Sequence, residues 1–222
     1  SKMLTSWGVM NLVEDGLIDL DAPVEKYLTR WHLPPSKYNL EEVTIRRMLS
    51  HSSGIAHVGG YTGFESASDV QSLEQSLTSP KDANKNGVAV VYEPGSKYVY
   101  SGGAYTLLQL VIEEVTGQSF EDYMKSAILQ PLGMSESGYE LTPSSDYNVA
   151  VVYNKNGELS KPRYFAAKAA AGLYTSSSDL ASLALAMMLT GDDSQSNAVL
   201  SEATLREMYE PQSGLPRLMP YG

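Results

Sequence analysis

The sequence predicts a helix-dominated domain of the α+β or helix-rich α/β class, and three observations predict it. Residues 105–116 and 179–190 carry apolar side chains at helical spacing. Only residues 88–92 and the segment around residues 149–157 have strand or hairpin character. Apolar residues make up 42% of the chain and charged residues 19%, a composition typical of a folded globular protein.

The N-terminal part of the chain is predicted to hold a helix, a connector and a second helix. Apolar side chains recur every three to four positions over residues 3–13, and Gly16 is suited to end that helix. Residues 17–24 have the pattern of an extended connector. A short helix over residues 44–49 follows a good N-cap region. Residues 56–80, rich in Gly, Ser and Asp, carry no pattern that places them.

Two consecutive helices are predicted in the middle of the chain. Residues 105–116 form a strongly apolar and therefore buried helix, and Gly117 follows it as a typical C-terminal stop. Ser119 is placed to cap the next helix, residues 120–129, which Pro131 terminates.

Two further helices are predicted towards the C-terminal end. Ser178 is expected to cap the helix over residues 179–190, and Gly191 to close it. Ser201 is expected to begin a last helix that Pro211 stops.

The strand signals are short. Residues 88–92 are rich in β-branched side chains and are closed by a Glu-Pro-Gly breaker at residues 93–95. Residues 149–153 precede the turn sequence Asn-Lys-Asn-Gly at residues 154–157, which predicts a β-hairpin.

Composition excludes several classes of function. The 222 residues include 16 basic and 26 acidic side chains, a net charge of −10, which disfavours nucleic acid and anionic membranes as partners. The chain has no cysteine, so disulfides, thiolate nucleophiles and cysteine-ligated metals are excluded. With three histidines, we also expect no histidine-rich metal centre. No apolar run approaches the ~18 residues of a transmembrane helix.

Three segments of the chain matter together. Ser1-Lys2 opens an apolar helix, Tyr100-Ser101-Gly102 leads into a buried helix, and residues 169–180 form a small-residue loop before another. With His51-Ser52-Ser53-Gly54 and Pro131-Leu132-Gly133-Met134, they resemble the serine β-lactamase and penicillin-binding-protein superfamily. The resemblance extends from Ser1 to about Leu185 in the family's order. It is closest to the class C-like branch of esterases, D-amino-acid peptidases and β-lactamases.

The resemblance implies a β-lactamase/DD-peptidase fold, in which a helix-rich region packs against an antiparallel sheet. Residues 1–222 are then expected to be the central, mainly helical part of one catalytic domain. If Lys2 is the lysine of the family's Ser-x-x-Lys motif, the nucleophilic serine precedes Ser1 by two residues. The third motif would follow Gly222, so we expect this fragment to be inactive alone.

The chemistry explains the residue types. A serine hydroxyl needs a neighbouring group to accept its proton, and a lysine one helical turn later lies on the same face. The positive end of the helix dipole favours the neutral amine. The resemblance assigns Lys2 and Tyr100 as catalytic residues and Ser101 and Gly102 as substrate-binding residues. It implies a serine hydrolase that acts through an acyl-enzyme on ester or amide substrates, including D-amino-acid peptides and β-lactam-like compounds. Such a mechanism needs no metal and no organic cofactor.

One departure from the family pattern opens an alternative. The family usually has asparagine, whose amide binds the substrate, where this chain has Gly102. Either a backbone group or another side chain replaces that amide, or the substrate is a simpler ester. The departure also leaves open a non-catalytic module that binds a ligand or the cell wall. The partners expected are thus a small-molecule or peptide substrate, and the resemblance favours the cell envelope or a secreted location over the cytoplasm.

Two further signals have structural interpretations. His51 follows a helix directly, so we expect it to cap the helix or to make a structural hydrogen bond, and His32 and His57 to be structural or exposed. Residues 82–93 match the spacing of an EF-hand calcium loop, but Pro80 and the Pro-Gly pair after Glu93 exclude the flanking helices. That segment is therefore predicted to be a polar turn.

Overall fold

A computed structural model of the chain describes residues 1–56, 60–83, 86–142, 148–188 and 199–212. Eight α-helices lie in these ranges: α1 (Lys2–Glu14), α2 (Ile45–Leu49), α3 (Leu73–Thr78), α4 (Gly102–Thr116), α5 (Phe120–Tyr123), α6 (Lys168–Ala171), α7 (Ser177–Met187) and α8 (Glu202–Tyr209). A π-helix over Met124–Leu129 continues α5, and short 3₁₀ helices span Val24–Tyr27, Leu40–Glu42 and Ala67–Asp69.

Helix α4 is the centre of the fold. It packs against α1, α2, α3, α5 and α6, and all its residues from Gly102 to Ile112 are buried. Each fully buried leucine or valine contributes about 1.5–3 kcal/mol through removal of apolar surface from water. The helix ends where Gly117 adopts the left-handed conformation at φ +67°, and its N–H donates to the Glu113 carbonyl oxygen at 2.9 Å.

Helix α1 crosses α4 and is buried on most of its surface. Leu4, Trp7 and Leu12 are each no more than 1% exposed. Gly8 allows the π-helix to approach closely, because a Cβ at this position would lie 2.6 Å from the Met124 sulfur. The Tyr123 hydroxyl donates to the Gly8 carbonyl oxygen at 2.9 Å, so α1 is attached to this turn by packing and by a hydrogen bond.

The helix predictions are confirmed with small shifts in their ends. Helices α1, α2, α4 and α8 and the α5–π unit lie where the sequence predicts them. Helix α7 begins at Ser177 with Ser176 as its N-cap, so the prediction of Ser178 as the cap was wrong by two residues. The predicted end of that helix, including Gly191, lies outside the described residues.

Helix α3 lies in the segment that the sequence pattern left unplaced. Its N-terminus is a capping box: the Ser72 hydroxyl accepts the Gln75 N–H at 3.2 Å, and the Gln75 side-chain oxygen accepts the Ser72 N–H at 3.2 Å. This reciprocal pair satisfies two backbone donors at once and stabilises a helix only six residues long.

Strand structure in the described ranges is limited to isolated antiparallel bridges. Ile55 pairs with Val90 in the segment predicted as a strand, and Tyr153 pairs with Leu159 across the predicted hairpin turn. The antiparallel sheet that the family resemblance implies is not seen in this part of the chain. The described fold is therefore helix-rich, with single bridges that connect loops.

The segment with EF-hand spacing is described at residues 82–83 and 86–93. Asp82 is buried whereas Glu93 is exposed, and the extended segment around Ala89 separates them. Across the described ranges, no group of three or more histidine, aspartate or glutamate side chains is arranged to hold a metal ion. Nor does any helix in these ranges have both the length and the apolar composition to cross a bilayer.

Candidate active site

Lys2 and Tyr100 meet at the N-terminal end of α1. The Lys2 Nζ atom lies 4.9 Å from the centroid of the Tyr100 ring and 5.8 Å from that of Tyr105. It also donates a 2.7 Å hydrogen bond to the carbonyl oxygen of Ala170. Tyr100 lies on the segment that leads into α4 and is 45% exposed. The fold thus brings together the two residues that the sequence predicts to be catalytic, and their catalytic roles stay predictions.

The small-residue segment after residue 168 supports the first turn of α1. The sequence predicts a loop here, but residues 169–171 belong to helix α6 and only residues 172–176 connect it to α7. The Thr5 hydroxyl donates to the Ala169 carbonyl oxygen at 3.0 Å, and the Leu173 N–H donates to the Ser1 hydroxyl oxygen at 3.1 Å. Because alanine has a small side chain and glycine has none, the backbone of residues 169–173 can approach α1 closely enough for these bonds. All three segments that the sequence singles out therefore converge on one place.

Ser101 has a clear structural role in the described residues. It is 1% exposed, its hydroxyl donates to the Ala56 carbonyl oxygen at 2.8 Å, and the same oxygen accepts the Ala104 N–H at 3.1 Å as the N-cap of α4. Gly102 is the first residue of α4 and is also buried. A substrate contact from these positions would have to use the backbone, and the predicted substrate-binding role of both residues remains a prediction.

His51 lies beside Tyr100. Its Nδ1 accepts the Ser101 N–H at 3.2 Å, so the expected structural hydrogen bond is confirmed. Its ring centroid lies 4.7 Å from that of Tyr100 and 5.2 Å from that of Tyr105. The exposed His32 contacts Glu25 through Nδ1 at 2.9 Å, and His57 lies outside the described residues.

Two tyrosines beside the site, the partly buried Tyr61 and the buried Tyr105, have raised pKa values. Burial raises the pKa of Tyr61 to about 12, although a hydrogen bond with the Thr106 hydroxyl opposes the shift. Burial likewise raises the pKa of Tyr105, and a hydrogen bond with Ser6 opposes it. Tyr100, by contrast, is 45% exposed and lies next to Lys2.

Sequence reasoning missed Tyr105 and Ser6 as parts of this site. The Tyr105 ring centroid lies 5.8 Å from Lys2 Nζ and 5.2 Å from the His51 ring centroid, and the Tyr105 hydroxyl lies 2.9 Å from that of Ser6. A signal for Ser6 exists, because it follows Lys2 by four residues and so shares its helix face. For Tyr105, the sequence contains no such signal beyond its place in a buried helix.

Comparison with known proteins gives the family. The sequence profile described as Beta-lactamase matches residues 1–222. The chain belongs to the β-lactamase family. A penicillin-binding protein of Bacillus subtilis strain 168 is 31% identical over 164 residues, which are 71% of this chain and 34% of that protein. The protein flp of Staphylococcus aureus is 28% identical over 173 residues, 74% of this chain and 32% of that protein.

Solved structures agree on the fold. The octameric penicillin-binding protein homologue from Pyrococcus abyssi has a TM-score of 0.72 and 30% identity, and covers 97% of this chain and 48% of that one. A D-stereospecific amidohydrolase from Streptomyces, at 22% identity, has a TM-score of 0.69 over 99% of this chain and 64% of its own. The described region thus has the β-lactamase/DD-peptidase fold, and it spans about a third of the length of the two curated relatives named above.

Proposed function

We propose that the full-length protein is a serine hydrolase that acts through an acyl-enzyme. The observation that carries the proposal is the approach of the Lys2 Nζ atom to within 4.9 Å of the Tyr100 ring centroid at the first turn of α1. Membership of the β-lactamase family supports it. The resemblance in motif order is what assigns Lys2 and Tyr100 to that family's motif positions.

The proposed reaction has two steps. In the first, the serine two residues before Ser1 attacks the carbonyl carbon of an ester or amide, and its proton passes through Lys2 and Tyr100 to the leaving alcohol or amine. In the second, water attacks the acyl-enzyme and gives up a proton through the same pair as the serine oxygen leaves. The sum is one substrate and one water converted to a carboxylic acid and the alcohol or amine. Backbone N–H groups would stabilise the oxyanion.

The environment of Lys2 suits proton transfer. Nζ donates to the Ala170 carbonyl oxygen at 2.7 Å, which holds the side chain in one orientation. The nearby rings of Tyr100 and Tyr105 present their faces to it. No acidic side chain is bonded to Lys2 within the described ranges, so nothing there ties the amine into an ion pair.

The proposed substrates are esters and amides of small acyl groups, including D-amino-acid amides, ahead of β-lactams. Gly102 supports this order, because it offers no side-chain amide to hold the acyl amide that β-lactam antibiotics carry. A substrate without an acyl amide loses no hydrogen bond when glycine stands at position 102.

Gly102 also supports a second candidate, a non-catalytic module that binds a ligand or the cell wall. The two candidates differ in what Lys2 does. If the protein is an enzyme, loss of the Lys2 amine abolishes turnover, whereas a binding module without Lys2 keeps its affinity for the ligand.

Active-site labelling of the full-length protein tests the proposal. A fluorophosphonate probe should form one adduct, mapped by mass spectrometry to the serine two residues before Ser1. K2A should lose labelling and ester hydrolysis, whereas K155A, which removes an exposed lysine in the hairpin turn, should retain both. The proposal would be overturned if the probe did not label the wild-type protein and the protein hydrolysed neither nitrophenyl esters nor D-alanine nitroanilide. The binding module would then be the remaining candidate.

A further inference from the structure

We infer that His51 is a positioning residue that sets the orientation of Tyr100. The inference rests on the proposed function, since it concerns the residue proposed to transfer the proton. It is carried by three observations on His51: its backbone conformation, its two hydrogen bonds to the neighbours of Tyr100, and its ring contacts.

Both residues that flank Tyr100 are bonded to His51. The Val99 N–H donates to the His51 carbonyl oxygen at 2.8 Å, and the Ser101 N–H donates to His51 Nδ1 at 3.2 Å. In an extended chain, the N–H groups of residues one before and one after a given residue point to the same side. A single residue can therefore hold both peptides, and the backbone of Tyr100 is fixed from both directions.

The imidazole also packs against the Tyr100 side chain. The two ring centroids lie 4.7 Å apart with an interplanar angle of 43°. The imidazole also contacts Tyr98 and Tyr105, whose ring centroids lie 5.7 Å and 5.2 Å from its own. Since Tyr100 is about half exposed, this stack limits how far its ring can swing towards solvent.

The conformation of His51 is one that glycine usually adopts. Helix α2 ends in a Schellman motif: the His51 N–H donates to the Met48 carbonyl oxygen at 3.2 Å, and the Ser52 N–H donates to that of Arg47 at 2.8 Å. His51 occupies the left-handed position of this motif with φ +57°. Glycine would satisfy the helix end without the strain of a Cβ, so the imidazole must contribute something else. The contacts with Tyr100 and Ser101 are that contribution.

The hydrogen bond from Ser101 defines the protonation state that positions Tyr100. Nδ1 accepts an N–H, so it carries a lone pair, and the proton of the neutral ring lies on Nε2. Protonation of Nδ1 would turn the acceptor into a donor and break the bond. Titratable groups that face this ring include Tyr98 and Tyr100 on the extended segment and Tyr105 on α4.

Two variants distinguish the role of the His51 imidazole from the role of His51 in ending helix α2. H51G keeps the left-handed conformation without strain but removes both the Nδ1 acceptor and the ring. H51N also tolerates this conformation, and its amide oxygen takes the place of Nδ1. In the full-length enzyme, H51G should lower kcat for ester hydrolysis by about 10-fold or more with KM changed by less than about twofold, and H51N should recover most of kcat. The exposed His32 provides the control, because H32N should leave both constants unchanged.

A double-mutant cycle with Y100F decides whether His51 acts through Tyr100. If it does, H51G should cost nothing further in the Y100F background. An equal loss in both backgrounds would overturn the inference, as would an H51N enzyme as slow as H51G, or a loss confined to KM. Failure of the proposed function looks different, because K2A and Y100F would then hydrolyse esters as well as the wild type.

Discussion

The hydroxyl groups of Tyr105 and Ser6 lie 2.9 Å apart, and that of Tyr105 also donates to the Leu49 carbonyl oxygen at 3.2 Å. These bonds connect α4, α1 and the end of α2 close to Lys2. The ring that they hold is one of the two that face the lysine amine. The geometry of the proposed catalytic pair therefore depends on a buried tyrosine that takes no part in the chemistry.

Replacement of Tyr105 by phenylalanine should reveal this support. Y105F keeps the ring but removes both hydrogen bonds, so it should lower the free energy of unfolding by about 1 kcal/mol, as measured by urea denaturation of the full-length protein. We expect a few-fold fall in kcat as well, because the first turn of α1 is held less firmly. Y153F is the control, since Tyr153 is 60% exposed and should tolerate the change. An unchanged Y105F enzyme would contradict a supporting role.

Removal of the Tyr100 hydroxyl should affect the chemical step. Y100F keeps the ring that packs against His51 and Lys2 but cannot transfer a proton, so kcat should fall by about 10²–10⁴-fold with little change in KM. Steady-state ester hydrolysis measures both constants. Tyr98 gives a matched control, since it lies on the same segment, contacts the same histidine and is 55% exposed. A Y98F enzyme as impaired as Y100F would argue against a specific role for Tyr100.

Much of the helical fold could be predicted from the sequence, because its signals are local. The apolar pattern and Gly117 define the end of α4, and Ser201 marks the start of α8. Helix α3 could not be predicted in the same way. Its stability comes from a reciprocal cap and from the burial of Leu77, and neither gives a periodic pattern over six residues.

The candidate site was only partly predictable. Lys2 and Tyr100 were found through the order of motifs along the chain, not through any local property of the two residues. The role of His51 depends on the N–H groups of Val99 and Ser101, which come within reach only after the chain has folded. Residue type could suggest that His51 makes a structural hydrogen bond, but not which residue that bond positions.

A glycine next to the site should be intolerant of substitution. Gly54 has φ +78°, and a Cβ there would lie 2.2 Å from the Tyr92 carbonyl oxygen. G54A should therefore lower the free energy of unfolding by about 3 kcal/mol or more, measured by urea denaturation. Gly117 separates backbone strain from the clash, since its φ is +67° but nothing lies within 4 Å of a Cβ. G117A should cost only about 1–2 kcal/mol. Equal losses in the two variants would show that the close approach at Gly54 is unimportant.

Asp82 should make the protein less stable as the pH rises. Within the part of the chain that the structure describes, this carboxylate is 2% exposed and neither oxygen has a hydrogen-bond partner. Burial raises the pKa of Asp82 above its ordinary value of 3.8. The folded state then binds the proton more tightly than the unfolded state does. The associated stability is complete below pH 3.8 and is lost as the pH rises through the pKa of the folded state.

Replacement of Asp82 by asparagine should remove this penalty. D82N should have a free energy of unfolding about 1 kcal/mol above that of the wild type at pH 7, because no charge is buried without a partner. The difference should shrink as the pH falls towards 3.8, where the wild-type carboxyl is protonated. Urea denaturation at several pH values measures it, and D69N, at an exposed aspartate, should show no such trend. A D82N protein that is less stable than the wild type at pH 7 would mean that the charge of Asp82 stabilises the fold.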